Sequence, residues 1–320
     1  MPQHNTFFPV AYLSALSFSG ADAAQFLQGQ LSADAEGLAA GEWLRAAYCS
    51  PKGRALATMM LARYDGGFAA LLPADCADDV AGRLARFVLR AKVKIRRLPD
   101  AVFARLAPDS SPLHFSGGAV RHENGALIFD EGGGACLRLL LDSNADGENG
   151  GAGENRGAGE NQLAGENQTP DENQTATAGE NGDGAAWRLE QIRRGIPWVG
   201  AVTGDMFVPQ YFNWDLLGGI NFQKGCYVGQ EIIARLHYLG NVKRRGYALF
   251  GAGAPPAEGA KIGGAEYSCQ IINAVAAENG FAAFVSAPRP PGGEMELRWE
   301  NRAARLAEPP YGLPPAEGKT

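Results

Sequence analysis

Residues 142–184 do most to limit what this 320-residue chain can fold into. Glu-Asn recurs there every six residues, at 148, 154, 160, 166 and 172, inside Gly-Ala-Gly-Glu-Asn or Glu-Asn-Gln units. The stretch has no aromatic or β-branched apolar residue, so it cannot bury enough surface to offset the entropy of ordering it. A hexapeptide solenoid would need an apolar position in each turn, and only Leu163 offers one. The segment reads as a disordered acidic insert. Whatever folds must therefore tolerate a long solvated interruption between a strand-like 137–141 and a helix beginning near Trp187. The insert also hides the charge of the rest. It holds ten acidic residues and one basic one, so a net charge of −6 overall leaves +3 for everything else.

Outside the insert, short apolar runs alternate with tight-turn signals. Residues 55–64 and 68–72 flank Asp65-Gly66-Gly67, and 119–122 and 126–130 flank Asn124-Gly125, both hairpin patterns. Helices are expected over 20–31, over 76–90 with Val80, Leu84, Phe87 and Val88 facing inward, and from Trp187 to Arg194. After Lys243-Arg244-Arg245 the chain reads as strands 246–250, 266–276, 281–286 and 295–299 between Gly/Pro clusters, a small all-β module. Helices do not alternate strictly with strands, which favours an antiparallel α+β fold over a doubly wound one. The Pro-rich end from Pro309 reads as a loose tail. With 45% hydrophobic residues the chain can build a large core in two or three domains.

The densest chemistry lies in Gly218-Gly-Ile-Asn-Phe-Gln-Lys224-Gly-Cys226-Tyr-Val-Gly-Gln-Glu231. A strand-like 220–222 leads into a loop holding a lysine, a thiol and a phenol between Gly225 and Gly229, and a helix starts at Gln230-Glu231. Glu231 and Arg235 stand one turn apart on that helix. The glycines permit a left-handed backbone or a close approach, so a tight turn can present the thiol. A free cysteine is only about 3% thiolate at pH 7, a fraction that a neighbouring cation or helix N-terminus raises. Lys224 and the helix start would supply both.

Other readings find less support. The five cysteines, at 49, 76, 136, 226 and 269, are odd in number and far apart, with no Cys-x-x-Cys pair, which suits a reducing cytoplasm and no metal cluster of the chain's own. No signal peptide or membrane-length apolar span is legible, so the chain reads as cytoplasmic. Phosphate-loop and zinc-hydrolase motifs are absent. Arg83, Arg86, Arg90, Lys92, Lys94, Arg96 and Arg97, with Arg193-Arg194 and Lys243–Arg245, would receive RNA or an anionic ligand, yet no stacking aromatic pattern accompanies them. Such residues are more often simply a solvated face. Nothing in the sequence brings His237 to Cys226 as a catalytic base.

Taken together, these residues resemble the YgfZ-type folate-binding proteins, relatives of the glycine-cleavage aminomethyltransferase (T-protein) that serve iron–sulfur protein maintenance and tRNA modification. The likeness rests on Lys224-Gly-Cys-Tyr-Val-Gly-Gln-Glu231, with Ala234-Arg235 and Lys243-Arg244-Arg245 downstream. Gly195-Ile-Pro197, Phe207-Val-Pro-Gln210, Leu217-Gly-Gly-Ile220, Phe26-Leu-Gln-Gly-Gln-Leu31 and Cys49-Ser-Pro-Lys-Gly-Arg54 also match. The resemblance implies a T-protein-like folate-binding body of antiparallel sheets with helices over 1–242, with subdomains of about 1–100 and 101–242. It implies a C-terminal β-barrel over 243–308 and the tail at 309–320. It implies tetrahydrofolate or a derivative as cofactor and iron–sulfur enzymes such as tRNA methylthiolases as partners. By the same likeness Cys226, Lys224 and Tyr227 form the working group, and Gly225, Gly229, Gln230, Glu231 and Arg235 line the cofactor site, in a monomer with no metal site of its own. Such a chain is an accessory factor more than a turnover enzyme. One departure counts against the alternative of aminomethyl transfer: where T-proteins carry Arg-Leu-Glu-Ala-Gly, this chain reads Gln191-Ile-Arg193-Arg-Gly195, so the pterin-contacting Glu is replaced by Arg193. A non-catalytic tRNA-binding module is the other alternative.

Overall fold

The computed structural model describes residues 4–98, 102–107, 111–141, 182–263, 267–290, 295–300 and 302–315. Of the insert expected to be disordered over 142–184, residues 142–181 lie outside the described residues, whereas 182–184 are helical, the start of a helix over Gly182–Arg193.

Ten strands form one sheet: β1 (His4–Pro9), β2 (Leu13–Ser19), β3 (Glu42–Cys49), β4 (Ala55–Tyr64), β5 (Gly67–Pro73), β6 (Lys94–Arg97), β7 (Val102–Leu106), β8 (Gly117–Glu123), β9 (Ala126–Gly132) and β10 (Ala135–Leu140). Their order is β1-β7-β10-β9-β8-β3-β4-β5-β2-β6. Neighbours run antiparallel, as in β3 against β4 and β8 against β9. The turn between β8 and β9 works because Asn124 and Gly125 both take left-handed backbone, at φ 50° and 70°, which matches the twist of the flanking strands. Among the described residues, four α-helices accompany the sheets: α1 (Ala23–Gln30), α2 (Ala77–Ala85), α3 (Gly182–Arg193) and α4 (Gln230–Tyr238).

A second sheet follows α4. It comprises β11 (Arg244–Gly251), β12 (Lys261–Gly263), β13 (Ser268–Ala277), β14 (Gly280–Pro288), β15 (Met295–Trp299) and β16 (Arg302–Ala307), in the order β12-β13-β14-β11-β16-β15. Its edge strands β12 and β15 come back against each other, so the sheet is a nearly closed barrel. The fold is thus antiparallel α+β with a C-terminal barrel-like sheet.

Two sequence expectations are corrected. The helix expected over 76–90 ends at Ala85, and Phe87 points to solvent. The chain leaves the helix because Asp22 holds Lys92, donating its backbone N–H to the Lys92 carbonyl and accepting the Lys92 N–H on its carboxylate, which feeds β6 onto β2. Residues 220–222 form no strand. Asn221 makes a single backbone bond, donating to the Ser32 carbonyl at 2.9 Å, and Ile220 is buried beneath it.

Where the sheets meet, one apolar cluster gathers residues from all parts of the chain: Ala47, Cys49 and Ala55 from the large sheet, Phe207, Phe212 and Trp214 from the connection, Tyr227 and Ile233 from the Cys loop and α4, and Ile272 and Phe284 from the barrel. The Cys loop therefore rests on a junction core, which fixes where it can sit.

Candidate functional site

The Cys loop is positioned by three stretches far apart in sequence. Lys224 reaches the end of α1, where its ammonium donates to the carbonyls of Gln28, Leu31 and Ala33, each at 2.7 Å. The last carbonyls of a helix lack intrahelical donors and carry its negative end, so a cation is favoured there. All three ammonium donors are taken up, and no hydrogen bond joins Lys224 to Cys226. Burial pulls the Lys224 amine down to about 8 against the opposing pull of Asp34 and Glu36. Its charge also lies 5.1 Å from the centre of the Tyr227 ring.

Ser32 makes the second attachment. Its hydroxyl donates to the Gly219 carbonyl at 2.5 Å and accepts the Ala47 N–H at 2.8 Å. Asn221 then turns the chain locally, its Oδ1 accepting the N–H groups of Gln223 at 2.8 Å and Lys224 at 3.0 Å. The third attachment is steric. Gly229, at φ 82°, lies so close to the 49–54 loop that a Cβ there would stand 2.4 Å from the Ser50 carbonyl oxygen. Gly53 answers from the other side, at φ 67°, with Ile232 and the Gly229 carbonyl against it. Gly225 differs: its backbone is not left-handed, and a Cβ would meet nothing within 4 Å.

The outcome for the thiol is clear. Cys226 is exposed, and the other four cysteines are buried. Burial pushes the Cys49, Cys76 and Cys269 thiols up to about 12, which keeps them protonated and unreactive. Tyr227 is buried in the junction core, and burial likewise pushes its hydroxyl up, with Cys49 adding to the effect. Of the residues expected to act together, Lys224 and Tyr227 face inward and hold the loop, while Cys226 faces out. Gln230, Glu231 and Arg235 follow on the first turns of α4. Glu231 and Arg235 are exposed and form no ion pair with each other. The His237 ring stacks on Phe222, with centroids 3.7 Å apart.

The basic groups prove partly structural. Arg245 pairs with Asp215 at 2.8 Å, and Arg244 donates to the Ser268 and Ser286 carbonyls. Arg194 binds Glu190 and the Gly132 and Gly133 carbonyls, whereas Arg193 is exposed. Arg83 and Arg97 pair with Asp79 and Asp78. Ser32, Asn221 and the Gln28 carbonyl were missed in the sequence. Asn221, a turn-forming residue two before Gln223, was the one with a readable signal.

Two of the three attachments join the motifs that carried the family likeness, at 26–31, 49–54 and 224–231, and the Ser32 attachment reaches Gly219 of the 217–220 motif; comparison with known proteins decides the matter. A curated tRNA-modifying protein YgfZ from Klebsiella pneumoniae (strain 342) is 31% identical over 247 residues, covering 73% of this chain and 68% of that protein. The chain belongs to this family. The YgfZ protein of Yersinia pestis (strain Pestoides F) is 29% identical over 253 residues, covering 76% of this chain and 71% of its own. No family model matches. The crystal structure of glycine cleavage system aminomethyltransferase T from Bartonella henselae superposes with a TM-score of 0.63 at 13% identity, covering 97% of this chain and 87% of that one. YgfZ-family membership and the T-protein fold thus go together here. No helix among the described residues is long and apolar enough to cross a membrane.

Proposed function

We propose that this YgfZ-family protein is an accessory factor for iron–sulfur enzymes of tRNA modification, that its body binds a reduced folate, and that Cys226 is its working thiol. One observation carries the reading: of five cysteines, the exposed one sits on a loop clamped at both ends by the family's own motifs. An exposed, rigidly held thiol suits a transient ligand for a metal centre carried by another protein, since coordination needs access and a fixed direction. The tRNA-modifying name of the relatives supports the partner class.

A narrow slot between Tyr12, Trp187, Gln191, Trp198 and Asn273 offers flat aromatic walls, and the buried Trp187 Nε1 there has no hydrogen-bond partner. That chemistry suits a pterin ring. At about 10 Å³ the slot admits about one water, so a pterin does not fit it in this conformation. Arg193, where T-proteins place a carboxylate, is exposed. No chemical step is therefore routed through the folate, and Arg193 counts against aminomethyl transfer.

Two measurements test the proposal separately. In a strain lacking its own family member, the wild-type gene restores methylthiolated tRNA and Cys226→Ser lowers it by about ten-fold or more. Full restoration by the serine variant removes the thiol from the account. Calorimetric titration with tetrahydrofolate should saturate below about 1 mM, the weak end of specific binding. A flat titration removes the folate and leaves the thiol standing.

A further inference from the structure

Helix α4 carries two apolar stripes, and the core uses only one. Ile233 is its single buried residue. Ile232, Leu236 and Leu239, spaced i, i+4 and i+7, share another face about 100° round the helix. Ile232 is 42% exposed and Leu239 84%. Beside them lies a groove of about 280 Å³ lined by Val208, Tyr211, Ile232, Arg235, Leu236 and Leu239. Ile232 and Leu239, two of the seven exposed large apolar side chains among the described residues, thus share one groove with Leu236 and Val208. That is a patch, not the usual scatter.

Its rim is cationic. Arg235 stands in the stripe, Arg54 follows the Gly53 that packs on Ile232, and Arg244 and Lys261 line the adjoining hollow that shares Tyr211. Against these stand Glu231 and Asp205, the latter already accepting the Ser50 hydroxyl. A second copy of the chain would set cation against cation. Nucleic acid would want aromatic faces for its bases, whereas the stripe is aliphatic. An apolar spacing of i, i+4 and i+7 is how one helix receives another.

We propose that the outward stripe of α4 docks a protein partner that presents a short amphipathic helix, its apolar anchors flanked by carboxylates. The inference rests on reading the Cys226 loop as the working site, because docking here would bring the partner to the helix that the thiol precedes.

The probe is a fluorescein-labelled synthetic helix with Leu at i, i+4 and i+7 and Glu at the flanking positions, titrated by anisotropy into the full-length protein. Controls replace each Glu by Lys, or each Leu by Ser. The Glu peptide should bind at least about ten-fold tighter than either control. Leu239→Asp and Ile232→Asp should each weaken it by about ten-fold, with thermal midpoints verifying that the variants fold. Arg235→Glu should shift preference towards the Lys peptide. No saturable binding below about 1 mM, equal binding of the Lys peptide, or indifference to Leu239→Asp overturns the proposal. So does displacement of the peptide by bulk tRNA, or a concentration-dependent dimer in sedimentation that Leu239→Asp dissolves. Peptide binding that survives Cys226→Ser separates this inference from the thiol reading, since failure of either leaves the other intact.

Discussion

At the scale of the residue, Lys224 holds the loop in place. Its three hydrogen bonds run to backbone carbonyls at the negative end of α1, and a methionine there would leave all three without their donor. Lys224→Met should cost about 1.5–3 kcal/mol at pH 7, measured by urea denaturation. Arginine is no substitute, because its planar fork does not converge on one point as an ammonium does. The pH dependence has a definite sign. The folded lysine titrates near 8 and the unfolded one near 10.5, so between those values the unfolded chain binds the extra proton. This group's contribution to stability is therefore least below pH 8 and rises as pH increases towards 10.5. Wild type should gain on Lys224→Met between pH 8 and 10, and a constant gap would show that Lys224 is not desolvated as described.

Among the elements, the loop and α4 are joined to the 49–54 turn by backbone packed on backbone. Two glycines in the same motif should behave differently for that reason. Gly229→Ala puts a methyl carbon into the Ser50 carbonyl from a left-handed backbone, and should destabilise by about 1–3 kcal/mol in a thermal or urea melt. Gly225→Ala meets open space and should change stability by no more than about 0.5 kcal/mol. Should Gly225→Ala melt like wild type yet lose complementation, the space beside Gly225 is used by something that approaches the thiol. A Gly225→Ala variant as unstable as Gly229→Ala would contradict the geometry. The helix expected over 76–90 carries a related lesson. Its periodicity was sound as far as Leu84, but the demand of β6 for a partner strand ended it early, a long-range requirement that no local pattern contains.

For the molecule as a whole, Tyr311 ties the far end of the chain to the middle. Residues from Pro309 read as a loose tail, yet the Tyr311 hydroxyl donates to the Gly195 carbonyl at 2.8 Å and accepts from Asn213 Nδ2 at 3.1 Å, and its ring packs edge-on against Phe115. Tyr311→Ala should lower stability by about 2–4 kcal/mol in chemical denaturation, and a loss under about 0.5 kcal/mol would mean the end is not docked. The hairpins at Asp65-Gly66 and Asn124-Gly125, the antiparallel α+β class, four of the six barrel strands and the Cys226 motif were legible in the sequence, because each is written in turn chemistry or apolar spacing within a few residues, whereas β12 and β16 were not read. The tertiary structure alone decided which lysine contacts matter, that Tyr227 faces the core while Cys226 faces solvent, that most of the Lys243–Arg245 cluster is engaged internally, and that α4 turns its second apolar stripe outward. Each of these depends on which distant backbone lies alongside, and a side chain's direction is fixed by that packing, not by its neighbours in sequence.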